Sequence, residues 1–400
     1  MNIYQENRTR IIMVTKFVYV ITTSANEPDD NTSTSTNTNE NEKVLYEMLS
    51  HQKDVISDYY TNKKWDRYKK QGNIYELIFT TGHTFPSLSS YIPISRSFFK
   101  HWEILHDFAD VLAFPKAVRA TFLAEGPGGF IEAFTRYRSQ ASKGSDKLFG
   151  ITLISSDRCV PNWKLSRNMQ EQNNIRLLMG ADGTGSLYSR KNIESYVAEI
   201  GEASCDYVTA DGGFDFSNNF NNQEEISVRL IISEIYTAMR LLKPGGKFLL
   251  KIFDIYQPIT KQIIAVLKAN FETLYFIKPL TSRPANSEKY ILCINASGAF
   301  EHRKALEEVV GMPQKMLNPH RLNGVQLISP TEFNMYYMAR QIVSINMSLM
   351  SINCNQDHME TIRMQLEKGI KWLHKYKIPV QTDAIRYYKQ MLKAMPDTST

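Results

Sequence analysis

At 400 residues with 42% hydrophobic content, the chain can build one large folded domain or two, and its composition is neither fibrous nor wholly disordered. A formal charge of +6 favours a polyanionic partner without requiring one. The four cysteines, Cys159, Cys205, Cys293 and Cys354, form no CxxC pair, which argues against a zinc site and a disulfide framework and for free thiols in a reducing compartment.

In chain order, Arg8 and Arg10 precede an apolar run, Ile11 to Ile21, that looks faintly like a signal peptide. Lys16 interrupts it and no clear small-residue cleavage site follows, so a strand from Lys16 to Thr22 is predicted instead. No apolar run reaches the roughly 18 residues of a membrane span. The expected location is therefore the cytoplasm or nucleus, with no membrane partner and no secretion. Ser24 to Glu42 is a Ser/Thr/Asn-rich tract with nothing to bury, predicted to be a disordered linker closing an N-terminal segment over residues 1–42.

Lys43 to Tyr75 mixes apolar residues with charge and predicts one or two helices, the start of a helical region over 43–118. Its basic end, Lys63 to Lys70, interleaves Trp65 and Tyr68 with cations. That mixture serves either to grip RNA by phosphate contact and stacking or as a solvated helix face with its aromatics turned inward. His101 and His106 lack metal-ligand spacing on a helix face.

From Arg119 strands and helices alternate. The predicted strands are Ala120–Ala124, Leu148–Leu153, Ile175–Met179, Tyr207–Ala210, Lys247–Phe253, Thr273–Ile277 and Tyr290–Ile294. Helical patterns cover Phe130–Ser139, Glu224–Leu242 and Thr260–Ala269. This rhythm predicts an α/β, doubly wound sheet over 119–299 with helices on both faces. The last two strands are joined by a loop with no room for a helix, so the final strand is expected to run antiparallel. Residues 300–400 are Met-rich and read as a C-terminal helical appendage.

The candidate chemistry lies at strand ends. Glu125-Gly126-Pro127-Gly128-Gly129-Phe130 follows the first strand, where glycines let the backbone approach a ligand, or simply make a tight turn. It is not GxGxxG, and Thr152 and Leu153 stand where an NAD-binding fold ends its second strand with an acid, so a different nucleotide-like cofactor is favoured. Asp182, between Gly180 and Gly185, is either an acceptor for an adenine amino group or an Asx-turn residue. Asp211 ends the fourth strand, and Lys251 lies inside an apolar strand, where a cation needs a partner. With Lys100 and Glu288, two lysines and two carboxylates stand at the mouth of one sheet, a set suited to removing a proton from a hydroxyl.

The wordings SRSFFK (95–100), EGPGGF (125–130), VTADGG (208–213), FLLKIFD (248–254) and KPLTSRPANSEKYILC (278–293) resemble the FtsJ-type ribose 2′-O-methyltransferases, and within them the branch that modifies the 5′ cap of mRNA. The likeness runs from about Asn73 to Ser297 and departs from the commoner wording at Glu125-Gly126. It implies a Rossmann-like, seven-stranded methyltransferase sheet. It implies S-adenosylmethionine as methyl donor, held by Glu125 to Phe130, Asp182 and Asp211, with no metal required. It also implies Lys100, Asp211, Lys251 and Glu288 as a catalytic tetrad.

In physical terms, Lys251 is the expected base. Lys100 is the neighbouring cation that lowers its pKa, and Asp211 and Glu288 orient the two ammonium groups. The expected substrate is capped mRNA, with ribosomal or transfer RNA as the alternative and a non-catalytic RNA-binding scaffold as a different class. A small-molecule methyltransferase would not need the second lysine. The C-terminal helices are expected to serve RNA or the capping or transcription machinery. Candidates to stack on a cap guanine are Tyr91, Phe98, Phe99, Trp102 and Trp65.

Overall fold

The computed structural model describes residues 11–13, 16–22, 35–60, 64–80, 85–140, 145–157, 160–214, 220–310, 312, 322, 325, 327–354 and 359–394. The strands are β1 (Ile11–Met13), β2 (Lys16–Thr22), β3 (Arg119–Leu123), β4 (Lys147–Ile151), β5 (Ile175–Leu178), β6 (Cys205–Ala210), β7 (Leu242–Ile252), β8 (Phe271–Ile277) and β9 (Lys289–Ala296). The helices before and within the sheet are α1 (Ser35–Tyr60), α2 (Lys64–Gln71), α3 (Ser97–Asp107), α4 (Ala109–Leu112), α5 (Gly129–Gln140), α6 (Arg167–Gln172), α7 (Arg190–Ile200), α8 (Gln223–Leu241) and α9 (Pro258–Asn270). Those after it are α10 (Arg303–Val309), α11 (Thr331–Cys354), α12 (Met359–Lys375) and α13 (Thr382–Ala394).

The strands form one sheet in the order β1-β2-β8-β9-β7-β6-β3-β4-β5. β3, β4, β5, β6 and β7 pair with one another in parallel, and the inner strands β3 and β6 are almost wholly buried because both of their faces are covered. β9 enters antiparallel between β7 and β8, as its short connection requires. The seven expected strands are therefore present, and β2 extends the sheet by pairing antiparallel with β8. Lys243 to Gly246, which precede the strand predicted from Lys247, lie inside β7 as an irregularity: β6 steps from Cys205 to Tyr207 while β7 steps from Leu242 to Lys247.

Two features differ from the sequence reading. The polar tract is helical from Ser35, not disordered to Glu42. Glu42 is buried and accepts bonds from Lys261 at 3.0 Å and Asn334 at 2.8 Å, partners more than two hundred positions away that no local pattern announces. Residues 23–34 of the tract lie outside the described residues. The crossover after β5 also contains a helix the pattern reading passed over. α7 buries Ile193, Tyr196, Val197 and Ile200 on one face, and Ser189 Oγ caps it by accepting from Asn192 N at 3.3 Å.

The C-terminal helices pack against the N-terminal ones. Trp372, Leu373, Tyr376 and Tyr388 share a core with Phe98, Phe99 and Trp102. Trp102 Nε1 donates to Tyr376 O at 3.1 Å, and Trp372 Nε1 to Glu103 Oε2 at 3.2 Å. α1, α2 and α11 form another core around Leu49, Trp65, Tyr68, Ile342 and Ile345. No helix among the described residues is long and apolar enough to cross a membrane.

Candidate active site

The glycine turn, Lys100 and the sheet are tied together by close packing. A Cβ on Gly129 would lie 2.2 Å from both Ser95 Oγ and Ser97 Oγ, so only glycine lets α5 approach the start of α3. Glu125 Oε1 accepts from Phe130 N at 2.6 Å and Ile131 N at 3.3 Å, capping α5. Its other oxygen, Oε2, is buried with no hydrogen-bond partner.

α3 is anchored by His101, whose ring is buried and neutral, its pKa lowered to about 3 by burial. The neutral ring donates from Nδ1 to Phe130 O at 2.9 Å, and Nε2 accepts from Tyr207 OH at 3.0 Å. His101 is thus a bracket between α3, α5 and β6, and its neighbour Lys100 is aimed by it.

All four charged residues meet at the carboxyl edge. Lys100 Nζ donates to both Glu288 oxygens, at 2.9 and 2.7 Å. Lys251 Nζ donates to Asp211 O at 2.7 Å and lies 3.2 Å from Asp211 Oδ1. Lys251 and Tyr290 face each other across β7 and β9, and Tyr290 OH donates to Asp211 Oδ1 at 2.8 Å. Gly213 keeps the loop close: a Cβ there would stand 3.1 Å from Lys251 Nζ.

The electrostatics overturn one expectation. Burial disfavours the Lys251 ammonium, but the carboxylates of Asp211, Glu288 and Glu234 outweigh it, and its pKa stands above the ordinary lysine value. Lys251 is therefore a cation in the free protein rather than a base already poised near neutrality. Lys100 does not depress it because Lys100 is spent on Glu288. Burial works against the Glu288 carboxylate, and Lys100 and Lys251 pull its pKa well below the usual range. Burial, with the Asp211 charge beside them, pushes Glu125 well above the carboxylate range and Glu234 up to about 8.

Sequence reasoning missed three supporting residues. Tyr290 orients Asp211. Ser282 Oγ donates to Glu288 Oε1 at 3.0 Å. Lys278, at the end of β8, donates to Asn286 O at 2.6 Å, Glu288 O at 2.7 Å and Ser282 Oγ at 3.3 Å, closing the loop that presents Glu288. Burial and the Lys289 ammonium lower its pKa to about 7. A buried lysine beside a polar loop was the available signal.

The loops after β3, β4 and β5 are bonded in series. Gly126 N donates to Thr152 Oγ1 at 3.0 Å and Ile154 N to Thr184 O at 2.8 Å. Asp182 is the hub of an Asx turn there. Its Oδ1 accepts from Thr184 N at 2.9 Å, Thr184 Oγ1 at 2.7 Å and Asn192 Nδ2 at 2.8 Å. Leu153, Ile154 and Met179 are exposed along this edge. Of the aromatic candidates, Phe98, Phe99, Trp102 and Trp65 are core residues with at most 2% exposure and are closed to a base; Tyr91 is half-buried beneath Arg136. With Trp65 and Tyr68 turned inward, α2 presents a solvated basic face, not a stacking surface. Among the described residues, no group of three or more His, Cys, Asp or Glu is placed to hold a metal ion. Cys205 and Cys293 are free and buried; Cys159 lies outside the described residues.

The topology places the domain in the methyltransferase class of doubly wound sheets, whose last strand inserts antiparallel between its two predecessors. Within that class the chain belongs to the FtsJ-like methyltransferase family, which matches residues 93–296, just over half of its 400 residues. Over 121 residues it is 40% identical to a cap-specific mRNA (nucleoside-2′-O-)-methyltransferase 1 of Trypanosoma brucei brucei, covering 30% of this chain and 33% of that protein. It is 33% identical over 149 residues to the cap-specific mRNA (nucleoside-2′-O-)-methyltransferase of Autographa californica nuclear polyhedrosis virus, covering 37% and 55%. A third relative, a cap-specific mRNA (nucleoside-2′-O-)-methyltransferase 1 of Drosophila melanogaster, is 31% identical over 177 residues, covering 43% and 21%. The chain thus spans about a fifth to about half of the length of these relatives.

Proposed function

We propose that this chain transfers a methyl group from S-adenosylmethionine to a ribose 2′-hydroxyl near the 5′ cap of mRNA. The observation that carries the reading is the pairing of Lys100 with Glu288 and Lys251 with Asp211 at one sheet edge, from residues spread over almost two hundred positions. The three relatives named above support the cap assignment by their names. A capped transcript as substrate places the enzyme in the nucleus or cytoplasm.

The residues fit the donor. The exposed side chains of Leu153, Ile154 and Met179 suit a flat purine. Glu125 to Phe130 form the backbone turn, and the orphaned Glu125 Oε2 marks a polar group awaiting a partner. Asp182 uses Oδ1 for its turn, so Oδ2 is the oxygen that would take an adenine amino group. When bound, the donor supplies an electrophilic methyl group on a positively charged sulfur.

The protein's own task is to hold the ribose hydroxyl in line and accept its proton. Lys251 Nζ is the acceptor once its proton is lost. Asp211 O and Oδ1 fix its direction, and Lys100 stabilises oxyanion character while Glu288 restrains it. Reacting atoms must be held about 3–3.5 Å apart, which the rigid sheet edge serves.

The test is transfer of labelled methyl to matched capped and uncapped RNAs, with nuclease mapping of the product. The reading expects cap-dependent labelling at a cap-proximal ribose. Equal labelling of uncapped RNA, or of ribosomal or transfer RNA at an internal position, would replace the cap assignment. No transfer to any RNA, with donor still bound, would favour the RNA-binding scaffold.

A further inference from the structure

The family match spans residues 93–296, yet the loop carrying Glu288 is gripped from outside it. From α1, Lys53 is 4% exposed and donates from Nζ to Asp254 Oδ2 at 2.6 Å. Asp254 lies just beyond β7, a few residues after Lys251. The same Oδ2 accepts from Ser287 Oγ at 3.0 Å, immediately before Glu288. Lys289, immediately after Glu288, directs Nζ to Ser287 O at 3.1 Å, Phe253 O at 3.3 Å and Asp254 Oδ1 at 3.4 Å. From α11, Gln341 Nε2 donates to Ala285 O and to Ser287 Oγ, both at 3.2 Å. Ala285 itself packs onto the core that α1 and α11 share.

A buried ion network contributes little net stability compared with apolar packing, because both charges are desolvated. What it does supply is direction. Burial works against ionisation of Asp254, but Lys53 and Lys289 outweigh it, so the carboxylate stays charged and its two oxygens are committed. Ser287 and Lys289 are then held on either side of Glu288, leaving that side chain one way to face. A displacement of about 1 Å at a site of chemistry can cost on the order of 100-fold in rate, even when it originates far away.

We propose that Lys53 and Gln341, on helices that flank the family-matching segment, are positioning residues for Glu288: through Asp254 and Ser287 they set where its carboxylate meets Lys100. The kinetic arm of the test rests on the methyl-transfer reading above; a second arm does not.

In the full chain, Lys53→Met and Gln341→Leu are compared with wild type in single-turnover methyl transfer to capped RNA. The methyl-transfer rate should fall about 10- to 100-fold in Lys53→Met, and less in Gln341→Leu, with donor affinity unchanged by calorimetry. In a Glu288→Gln background the same substitutions should add no further loss, because residues acting through one group are non-additive. A full additional loss in that background overturns the proposal. Independently, backbone amides of residues 282–290 should exchange with deuterium faster in both variants, while those of α9 do not change. If Lys53→Met fails to fold, Gln341→Leu carries the same comparison. Unchanged loop exchange in folded Gln341→Leu overturns the proposal whether or not wild type transfers methyl. Faster loop exchange in a protein with no methyl transfer would overturn the proposed function and leave the coupling standing.

Discussion

Asp211→Asn tests the electrostatics of the site most directly. It keeps the side chain's shape and removes the negative charge 3.2 Å from Lys251 Nζ. At an effective dielectric of about 20, two unit charges at that distance attract by about 5 kcal/mol. Relaxation and the remaining carboxylates of Glu288 and Glu234 absorb part of this. The expected change is the range such pairs usually show, about 1–3 pKa units. The sign follows from the competing causes. Burial lowers the Lys251 pKa and Asp211 raises it, so removing Asp211 lets burial prevail and the pKa falls.

A base works deprotonated. The ascending limb of log kcat/KM against pH should therefore move to lower pH by about 1–3 units. The assay is labelled-methyl transfer to capped RNA from about pH 6 to about pH 10, at RNA concentrations below KM. A limb that stays in place or moves to higher pH would refute Asp211 as the group holding Lys251 protonated. If Lys251→Arg shows the same limb, Lys251 is not the base.

Three further outcomes are expected. Lys251→Arg should lose about 10²–10⁴-fold in turnover while calorimetry finds donor affinity preserved, because a guanidinium stays protonated; near-full activity in folded protein would end the base assignment. Gly129→Ala forces a Cβ to 2.2 Å from two serine hydroxyls, so denaturant titration should show a loss of about 1–3 kcal/mol and calorimetry weaker donor binding; wild-type values in both would show that the contact yields freely. The ring of His101 titrates near 3 in the fold and near 6.5 when unfolded, so the unfolded chain alone takes up its proton below about pH 6.5. Wild-type stability should fall through that window by up to about 1.4 kcal/mol per pH unit more steeply than that of His101→Asn, and equal slopes in urea titrations would contradict the neutral bracket.

The legible part of the molecule is the part written in short-range pattern. Tyr207–Ala210, read as a strand, lies inside β6, which buries every residue, and the β8–β9 connection is too short for anything but an antiparallel return. The four charged residues of the site were readable one by one, each as a charge at the edge of an apolar run. The helix at Ser35 was not readable, because Glu42 is buried by Lys261 and Asn334 rather than by its neighbours. Phe98, Phe99, Trp102 and Trp65, candidates for a stacking surface, are core, since a side chain's identity does not state which face its helix buries.

By itself, then, the sequence determined the strand order's raw material, the glycine turn and the four ionisable side chains, because periodicity and residue chemistry are local properties. Tertiary structure decided the pairing: Lys100 with Glu288, Lys251 with Asp211, and the protonated state of Lys251. It also decided that Lys278 closes the Glu288 loop and that Lys53 reaches Asp254. Such contacts depend on how elements hundreds of residues apart are packed, and a charge's pKa depends on which neighbours that packing delivers and how much water it removes.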